Sequence, residues 1–234
     1  MKKDWKHFWA TYRVDESEPL QQAGKTVNGI AILPEQFDAI LRDVDSHLCL
    51  SREDVVLDLC CGNGLITREI AKRCTAVIGI DFSERLIEVA KELTREPNVR
   101  YLVMDIKHLR VLREILPWLA FTKVLWYDAL AFFSASDLYE ILKVVKILTR
   151  EGATILLGSV LDSRRKWYFF NTFKRKLLYV LRVSSLKSPV GLEQWWESAQ
   201  IANICTQLDL TSMVYRQSVE VHTASYRFDV KIER

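Results

Sequence analysis

The chain has 234 residues, of which 49% are hydrophobic and 27% charged, and its formal net charge is +3. This composition is typical of a globular protein with one sizeable domain, and the small net charge does not by itself predict a nucleic-acid partner. The five cysteines are odd in number and irregularly spaced, which argues against a disulfide framework, and the first 16 residues lack the apolar core of a signal peptide. No apolar run is long enough to span a bilayer, so we expect a cytoplasmic protein.

Residues 1–33 are aromatic and charged without a clear periodicity. Two interpretations stay open, an N-terminal arm packed on the domain and a lid that excludes water from a ligand cleft. The sequence Gly24-Lys25-Thr26 resembles part of a phosphate-binding loop. The first glycine of that loop would fall at Pro19, however, and no strand precedes it, so we reject a phosphate-binding loop here.

Residues 34–50 have apolar positions at helical spacing, which predicts a helix that packs on a sheet. We interpret His47, near its end, as a solvated side chain. Residues 55–81 then combine an apolar run ending in Asp58, a turn of small residues, a helical pattern and a second apolar run ending in Asp81. This order is typical of a βαβ unit that holds a nucleoside-containing ligand at the carboxyl ends of its strands.

Strands and helices continue to alternate after this unit. Ser83 is expected to cap a helix over 84–93. Strands are predicted over 99–104, 123–127 and 153–160, with a helix from Ser136 or Asp137 to residue 148. Two closing strands, over 210–217 and 225–232, should form a hairpin, and alternation would place Arg227 and Asp229 on its solvent side. The expected fold class is α/β, a three-layer, doubly wound, seven-stranded sheet that is mostly parallel with an antiparallel last strand.

Residues 161–192 interrupt the alternation with a basic and aromatic insertion, and residues 163–192 hold eight Lys or Arg and no acid. Apolar residues recur in it at helical spacing: Trp167, Phe170, Phe173 (or Lys174), Leu177, Leu178 and Leu181. One interpretation is a helix with an inner apolar stripe and solvated basic residues. The other is a cap over a substrate pocket, which could bind an anion, an acidic lipid surface or nucleic acid.

A further helix is predicted over 193–208, with Trp196, Ile201 and Ile204 buried. No internal repeat or low-complexity linker divides the chain. We therefore expect a single domain, 1–234. In it, a ligand-binding core (34–160) carries the N-terminal arm or lid (1–33), the insertion (161–192) and a closing segment of helix and strand pair (193–234).

The glycine turn alone does not identify the ligand. Gly62, Gly64 and Thr67 nearly match the GxGxxG fingerprint of dinucleotide-binding proteins, but the third glycine, which permits close helix–strand contact, is missing. Asp81 suits several ligands, because any ribose with free hydroxyls can donate to a carboxylate there. An NAD-dependent oxidoreductase therefore stays an alternative.

Several motifs together are more specific. Asp58-x-Cys60-Cys61-Gly62-x-Gly64, then Gly79-Ile80-Asp81-Phe82-Ser83, then Met104-Asp105-Ile106 and a two-strand ending resemble the class I methyltransferases that use S-adenosylmethionine. The sequence DLCCGNG is similar to the form found in quinone-biosynthesis and related small-molecule methyltransferases. Cys60 stands where most of the family has glycine, and we interpret both cysteines as packing residues. Their adjacency suits neither a redox pair nor a zinc site, and we predict no metal.

The resemblance implies a role in binding S-adenosylmethionine for each of these residues. The turn Cys60-Cys61-Gly62-Asn63-Gly64 would leave room for the amino-acid end, whose carboxylate could meet backbone N–H groups and a helix N-terminus. Asp58 would face the amino group. The remaining contacts would be Asp81 with the ribose hydroxyls, Phe82 with the adenine ring, Asp105 with the adenine amino group beside Met104 and Ile106, and Tyr127 with the sulfonium and the acceptor.

The resemblance also implies in-line methyl transfer to a small-molecule acceptor, lipid-like or anionic, with the protein mainly supplying proximity and alignment. The sequence identifies no catalytic base, so a cofactor-binding but inactive partner subunit stays an alternative. Candidate bases without a motif partner are His7, Tyr12, Tyr127, Asp128, His222, Tyr226 and Asp229.

Two further expectations concern partners. Residues 126–129 lack the Asn/Asp-Pro-Pro-aromatic segment that amino-methylating nucleic-acid enzymes place after the fourth strand, which argues against a nucleic-acid acceptor. Peripheral membrane contact through residues 163–187 is the second expectation.

Overall fold

The computed structural model describes residue 9, residues 18–184 and residues 194–234. The helices within these ranges are α1 (Pro19–Gln22), α2 (Pro34–Leu48), α3 (Leu65–Ala71), α4 (Glu84–Leu93), α5 (Val111–Ile115), α6 (Ala135–Leu148), α7 (Lys166–Phe169), α8 (Phe173–Ser184) and α9 (Ser198–Gln207). The strands are β1 (Thr26–Val27), β2 (Ile30–Ala31), β3 (Val55–Leu59), β4 (Ala76–Asp81), β5 (Val99–Val103), β6 (Phe121–Tyr127), β7 (Thr149–Leu161), β8 (Thr211–Arg216) and β9 (Arg227–Glu233). None of the helices in the described part of the chain is long and apolar enough to cross a membrane.

The central sheet has seven strands in the order β5-β4-β3-β6-β7-β9-β8. Strands β3 to β7 pair in parallel, whereas β9 runs antiparallel to both β7 and β8. The predicted fold class is therefore confirmed. The strand order reverses between β3 and β6, and in open α/β sheets such a reversal opens a crevice at the carboxyl ends of the strands.

Most core elements have the predicted bounds because their sequence patterns are local. Helix α2 buries one stripe, Ala39, Ile40, Val44 and Leu48, against the sheet. Helix α4 begins after Ser83, whose side chain accepts from the N–H of Leu86. Helix α6 begins at Ala135, earlier than predicted, because Ser134 is its N-cap and Asp137 completes a capping box with it.

The predicted start of the last helix is wrong. Residue 193 lies outside the described residues, and residues 194–197 are not helical. The backbone N–H of Trp196 instead donates to Leu161 O at 2.8 Å, which extends the end of β7, and its indole N–H donates to Leu130 O. Trp196 is buried as predicted, and so are Ile201 and Ile204 in α9.

The part of the insertion that the structure describes contains two α-helices, α7 and α8, rather than one. Trp167, Phe169 and Phe170 in and after α7 form a cluster of ring contacts with Tyr179 and Trp195. The residues predicted to form an inner stripe of α8 are exposed, Phe173 by 82% and Leu177 by 46%. Of the two interpretations of the insertion, the one with an inner apolar stripe is therefore wrong for α8. Residues 185–192 lie outside the described residues.

Strand β9 is buried on both faces, so the predicted exposure of Arg227 and Asp229 is wrong. Because β9 lies between β7 and β8, it is an interior strand of the sheet. Phe228, Val230 and Ile232 pack on the same side as α6 and α9. Asp229, on the other side, lies 3.6 Å from His47 of α2, whose side chain is only 12% exposed rather than solvated.

Candidate functional site

The turn after β3 brings backbone N–H groups to the carboxyl edge of the sheet. Cys60, Gly62 and Gly64 all have a positive φ, and Gly64 is the N-cap of α3 with φ 74°. A Cβ on Gly64 would lie 2.3 Å from Tyr101 Oη, so both the conformation and the space require glycine there. Burial raises the pKa of the Cys60 and Cys61 thiols well above the usual value, which fits the packing role predicted for them.

Asp81, at the end of β4, is fixed by the backbone around it. Its two carboxylate oxygens accept from the N–H groups of Gly62, at 3.0 Å, and Ser83, at 2.9 Å. Burial raises the pKa of Asp81, and these hydrogen bonds oppose that shift. The carboxylate is held rigidly between the glycine turn and the cap of α4, as a ligand-orienting group needs to be.

Asp58 lies inside the turn, in the last part of β3. It is buried and accepts a hydrogen bond from Thr67 Oγ1 at 2.6 Å. Burial, together with the charge of Asp81, raises its pKa to about 7, although Thr67 and Lys25 act in the opposite direction. Thr67 replaces the third glycine of a dinucleotide fingerprint, and its hydroxyl holds this carboxylate. A neighbouring cation would favour the ionised form of Asp58.

A cleft of about 600 Å³ opens above these residues at the carboxyl ends of β3, β4, β5 and β6. It brings together all of the predicted cofactor-binding residues: Asp58, Cys60, Cys61, Gly62, Asn63, Asp81, Phe82, Met104, Asp105, Ile106 and Tyr127 line it, and Gly64 closes the same turn. Such a volume is within the range of small-molecule and cofactor sites. Their individual roles toward a cofactor stay predictions.

The N-terminal segment forms one wall of the cleft. Trp9, Gln22, Gly24, Lys25 and Thr26 line it, and the Trp9 ring lies edge-on to Phe132 with ring centroids 6.1 Å apart. Asn63 of the glycine turn ties the segment down by donating to Pro19 O and Gln22 Oε1. Whether this segment acts as a lid stays a prediction.

At the end of the cleft beside β6, two cations converge on one carboxylate. Lys25 Nζ lies 2.7 Å from Asp128 Oδ2, and Arg227 Nη1 pairs with the other oxygen, Oδ1. Burial alone would raise the pKa of Asp128, but the charges of Arg227 and Lys25 outweigh burial and hold it at about 2. Arg227 also donates to the backbone oxygen of Ser159 at 2.9 Å. We call Lys25, Asp128 and Arg227 the ionic cluster.

Sequence reasoning missed Lys25 and Arg227 as site residues. The sequence Gly24-Lys25-Thr26 resembles only part of a phosphate-binding loop, and alternation along the last strand predicts a solvent-facing Arg227. Among the basic residues of the insertion, Arg164, Arg165 and Lys166 do not line the cleft.

The candidate bases are not poised for proton abstraction where the structure describes them. The ionic cluster keeps Asp128 ionised and weakly basic. Burial raises the pKa of Tyr127 well above its usual value, and its hydroxyl accepts from Gln217 Nε2 at 3.4 Å. Burial lowers the pKa of His222 to about 4. Asp229 is held by the Ser159 N–H at 2.6 Å, away from the cleft, and burial raises the pKa of Tyr226.

His7 and Tyr12 lie outside the described residues. Among the residues that the structure describes, no group of three or more His, Cys, Asp or Glu side chains could hold a metal ion.

Comparison with known proteins is consistent with this geometry. Residues 56–152 match the model of a protein family described as a methyltransferase domain. Among curated proteins, 72 residues are 39% identical to a probable cobalt-precorrin-6B C(15)-methyltransferase of Methanocaldococcus jannaschii, covering 31% of this chain and 38% of that protein. A stretch of 71 residues is 43% identical to the ubiquinone biosynthesis O-methyltransferase of Coxiella burnetii, covering 30% of each chain. The chain thus spans less than half the length of these curated relatives.

Solved structures extend the likeness over the whole fold. Magnesium protoporphyrin IX methyltransferase from Synechocystis PCC 6803, with bound SAH, aligns with 98% of this chain and 92% of its own at a TM-score of 0.60 and 15% identity. Geranyl diphosphate C-methyltransferase from Streptomyces coelicolor A3(2) aligns with 85% of this chain and 79% of its own, at a TM-score of 0.59 and 12% identity. Residues 56–152 therefore match the methyltransferase-domain model, and the chain as a whole has the fold of these solved methyltransferases.

Proposed function

We propose that this protein is an S-adenosylmethionine-dependent methyltransferase that acts on a small-molecule acceptor. The observation that carries the proposal is that the glycine turn, Asp58, Asp81 and Asp105 line the same cleft, at the point where the strand order reverses. The family match over residues 56–152 supports it. We further propose that the chain works as one domain in a reducing compartment such as the cytoplasm, since all five of its cysteines are free thiols.

The residues present fit this cofactor. Asp81 would bind the ribose hydroxyls, Phe82 and Ile106 would border the adenine ring, and Asp105 would accept from its amino group. The methionine end would lie above the glycine turn, with Asp58 facing its ammonium group. Gln22 supplies an additional donor: its Nε2 is buried and lacks a hydrogen-bond partner among the described residues, and Gln22 lines the cleft. A carboxylate at this end of the cofactor would satisfy it.

The proposed chemistry needs little acid–base help from the protein. The cofactor would supply the methyl group on a positively charged sulfonium sulfur, and the demethylated cofactor would leave as a neutral thioether. Tyr127 and Asp128, at the end of β6, border the space where the acceptor would approach. Alignment of two bound reactants in a closed cleft can account for several kcal/mol of a barrier, about 7 or more in favourable cases. This chain's residues would therefore act by positioning and by excluding water.

The ionic cluster and the rings beside it suggest the class of acceptor. Two cations face one carboxylate, which leaves an excess of one positive charge at this end of the cleft. Trp9, Phe132 and Phe133 provide apolar surface next to it. We propose an acceptor that combines an anionic or strongly polar group with a flat or apolar part.

Ligand binding tests the cofactor assignment. Thermal-shift and calorimetric titrations should show binding of S-adenosylhomocysteine and S-adenosylmethionine, with no comparable effect of NAD. Asp81→Ala should abolish binding because it removes the acceptor for the ribose hydroxyls. Glu220→Gln, which changes an exposed carboxylate paired with Arg42, is the matched control and should bind as wild type does. Stabilisation by NAD alone would support the oxidoreductase alternative and refute the proposal.

A further inference from the structure

Helix α8 has one side that faces the body of the protein. Tyr179 packs on Phe170 and Trp167, with ring centroids 4.5 and 5.8 Å apart. Arg175 Nη2 donates to Asn28 Oδ1, in the turn between β1 and β2, at 2.8 Å. At about 100° per residue, Arg175 and Tyr179 lie within about 40° of each other around the helix, and they define its inner side.

The opposite side of α8 is apolar and exposed. Phe173, Leu177, Val180 and Leu181 are 82%, 46%, 52% and 54% exposed. Their i, i+4, i+7 and i+8 spacing places them in an arc of about 100°, centred nearly opposite the inner side. Phe173 and Leu177 lie on the exposed side of α8, and exposed apolar side chains at this spacing favour contact with another apolar phase.

The charges around this stripe determine the kind of surface that it fits. Lys174 and Lys176 are exposed and flank the stripe on both sides by their helical positions. Residues 163–192 contain eight Lys or Arg and no acid, while the remainder of the chain has a formal net charge of −5, that is 3 − 8. Positive charge is therefore concentrated on the insertion that carries the stripe.

An apolar stripe between lysines is the pattern of helices that lie in the plane of an anionic membrane surface. Nucleic acid would bind the lysines but would leave Phe173 and Leu177 uncovered. The neighbouring hairpin of β1 and β2 contacts the inner side of α8 through Arg175 and Asn28, so it leaves the stripe on the opposite side uncovered.

We propose that α8 docks the protein on the surface of an anionic lipid bilayer through the side that carries Phe173 and Leu177. The site lies beside the mouth of the cleft, because Thr26 at the base of the hairpin lines the cleft and Phe169 of α7 contacts Tyr226, next to Arg227. Docking would thus place the acceptor end of the cleft near the lipid interface. The docking itself does not depend on the proposed methyl transfer.

Vesicle co-sedimentation of the full chain tests this proposal. Vesicles of three parts phosphatidylcholine to one part phosphatidylglycerol should bind the protein, binding should fall at high salt, and vesicles of phosphatidylcholine alone should not bind it. The double variant Phe173→Ser/Leu177→Ser should weaken binding by about tenfold or more. Lys174→Glu/Lys176→Glu should abolish it.

Matched control variants carry the same changes elsewhere on the surface. Trp118→Ser/Ile147→Ser removes two exposed apolar side chains, 77% and 54% exposed, and Lys91→Glu/Lys143→Glu reverses two exposed charges. Both controls should bind vesicles as wild type does, and all variants should keep the wild-type thermal transition. The proposal is overturned if neither vesicle binds, if both bind equally, or if the α8 variants bind like the controls. Binding to RNA but not to vesicles through the same lysines would also overturn it.

Discussion

S-adenosylhomocysteine binding to the wild-type protein should depend on pH near neutrality, and the substitution Asp58→Asn should abolish this dependence. Burial places the pKa of Asp58 at about 7, so most of the free protein has a neutral carboxyl at pH 6 and an ionised one at pH 8. If Asp58 faces the ligand's ammonium group, only the ionised form binds well. With this pKa, the Kd at pH 6 should be about tenfold weaker than at pH 8, or about 1.4 kcal/mol.

Isothermal titration calorimetry between pH 6 and pH 8 measures this directly, and buffers of different ionisation enthalpy report the proton released on binding at pH 6. The Asp58→Asn variant should bind more weakly at both pH values, with no tenfold difference between them. Asp105→Asn is the matched control, a carboxylate lining the adenine end of the same cleft, and it should weaken binding while keeping the pH dependence. Equal wild-type affinity at pH 6 and pH 8, or a wild-type pH profile in Asp58→Asn, would refute the reasoning.

Two further predictions concern the framework of the site. Asp128→Asn should lower the free energy of unfolding by about 2 kcal/mol at pH 7, because the pKa of Asp128 is held at about 2 instead of 3.8. The control Glu220→Gln breaks an exposed ion pair with Arg42 and should lower it by at most about 1 kcal/mol. Because that pKa is depressed, the difference in unfolding free energy between wild type and Asp128→Asn, measured by urea unfolding, should be constant above about pH 5 and shrink as the pH falls from 4 toward 2. If the difference is as small as that of the control, or does not change with pH down to pH 3, the stabilising role of the ionic cluster is refuted. Gly64→Ala should destabilise the protein by about 2 kcal/mol or more and impair S-adenosylhomocysteine binding, because its Cβ would meet Tyr101 Oη at 2.3 Å. Gly152→Ala, with a similar φ of 76° but open space around the added Cβ, should cost only about 1 kcal/mol and leave binding intact; equal losses in the two variants would show that packing against Tyr101 is unimportant.

The cofactor end of the cleft could be predicted because its residues are close together in sequence. Asp58, the glycine turn and Asp81 lie within one βαβ unit, so local apolar runs and turn residues place them at one edge of the sheet. Asp105 follows by the same rule, since β5 pairs in parallel with β4.

The acceptor end could not be predicted because its residues are distant in sequence and depend on the sheet order. Lys25 and Asp128 are 103 residues apart, and Arg227 and Asp128 are 99 residues apart. Alternation along β9 suggested one solvent face, and only the placement of β9 between β7 and β8 buries Arg227. The periodicity of α8 likewise identified an apolar stripe but not the direction in which it faces.

A crystal structure of the protein with S-adenosylhomocysteine tests the central claim most directly. The account predicts the adenine beside Asp105, the ribose hydroxyls on Asp81, the methionine end above the glycine turn, and the sulfur pointing toward Tyr127 and the ionic cluster. The ligand bound outside this cleft, or with its ribose away from Asp81, would contradict the account.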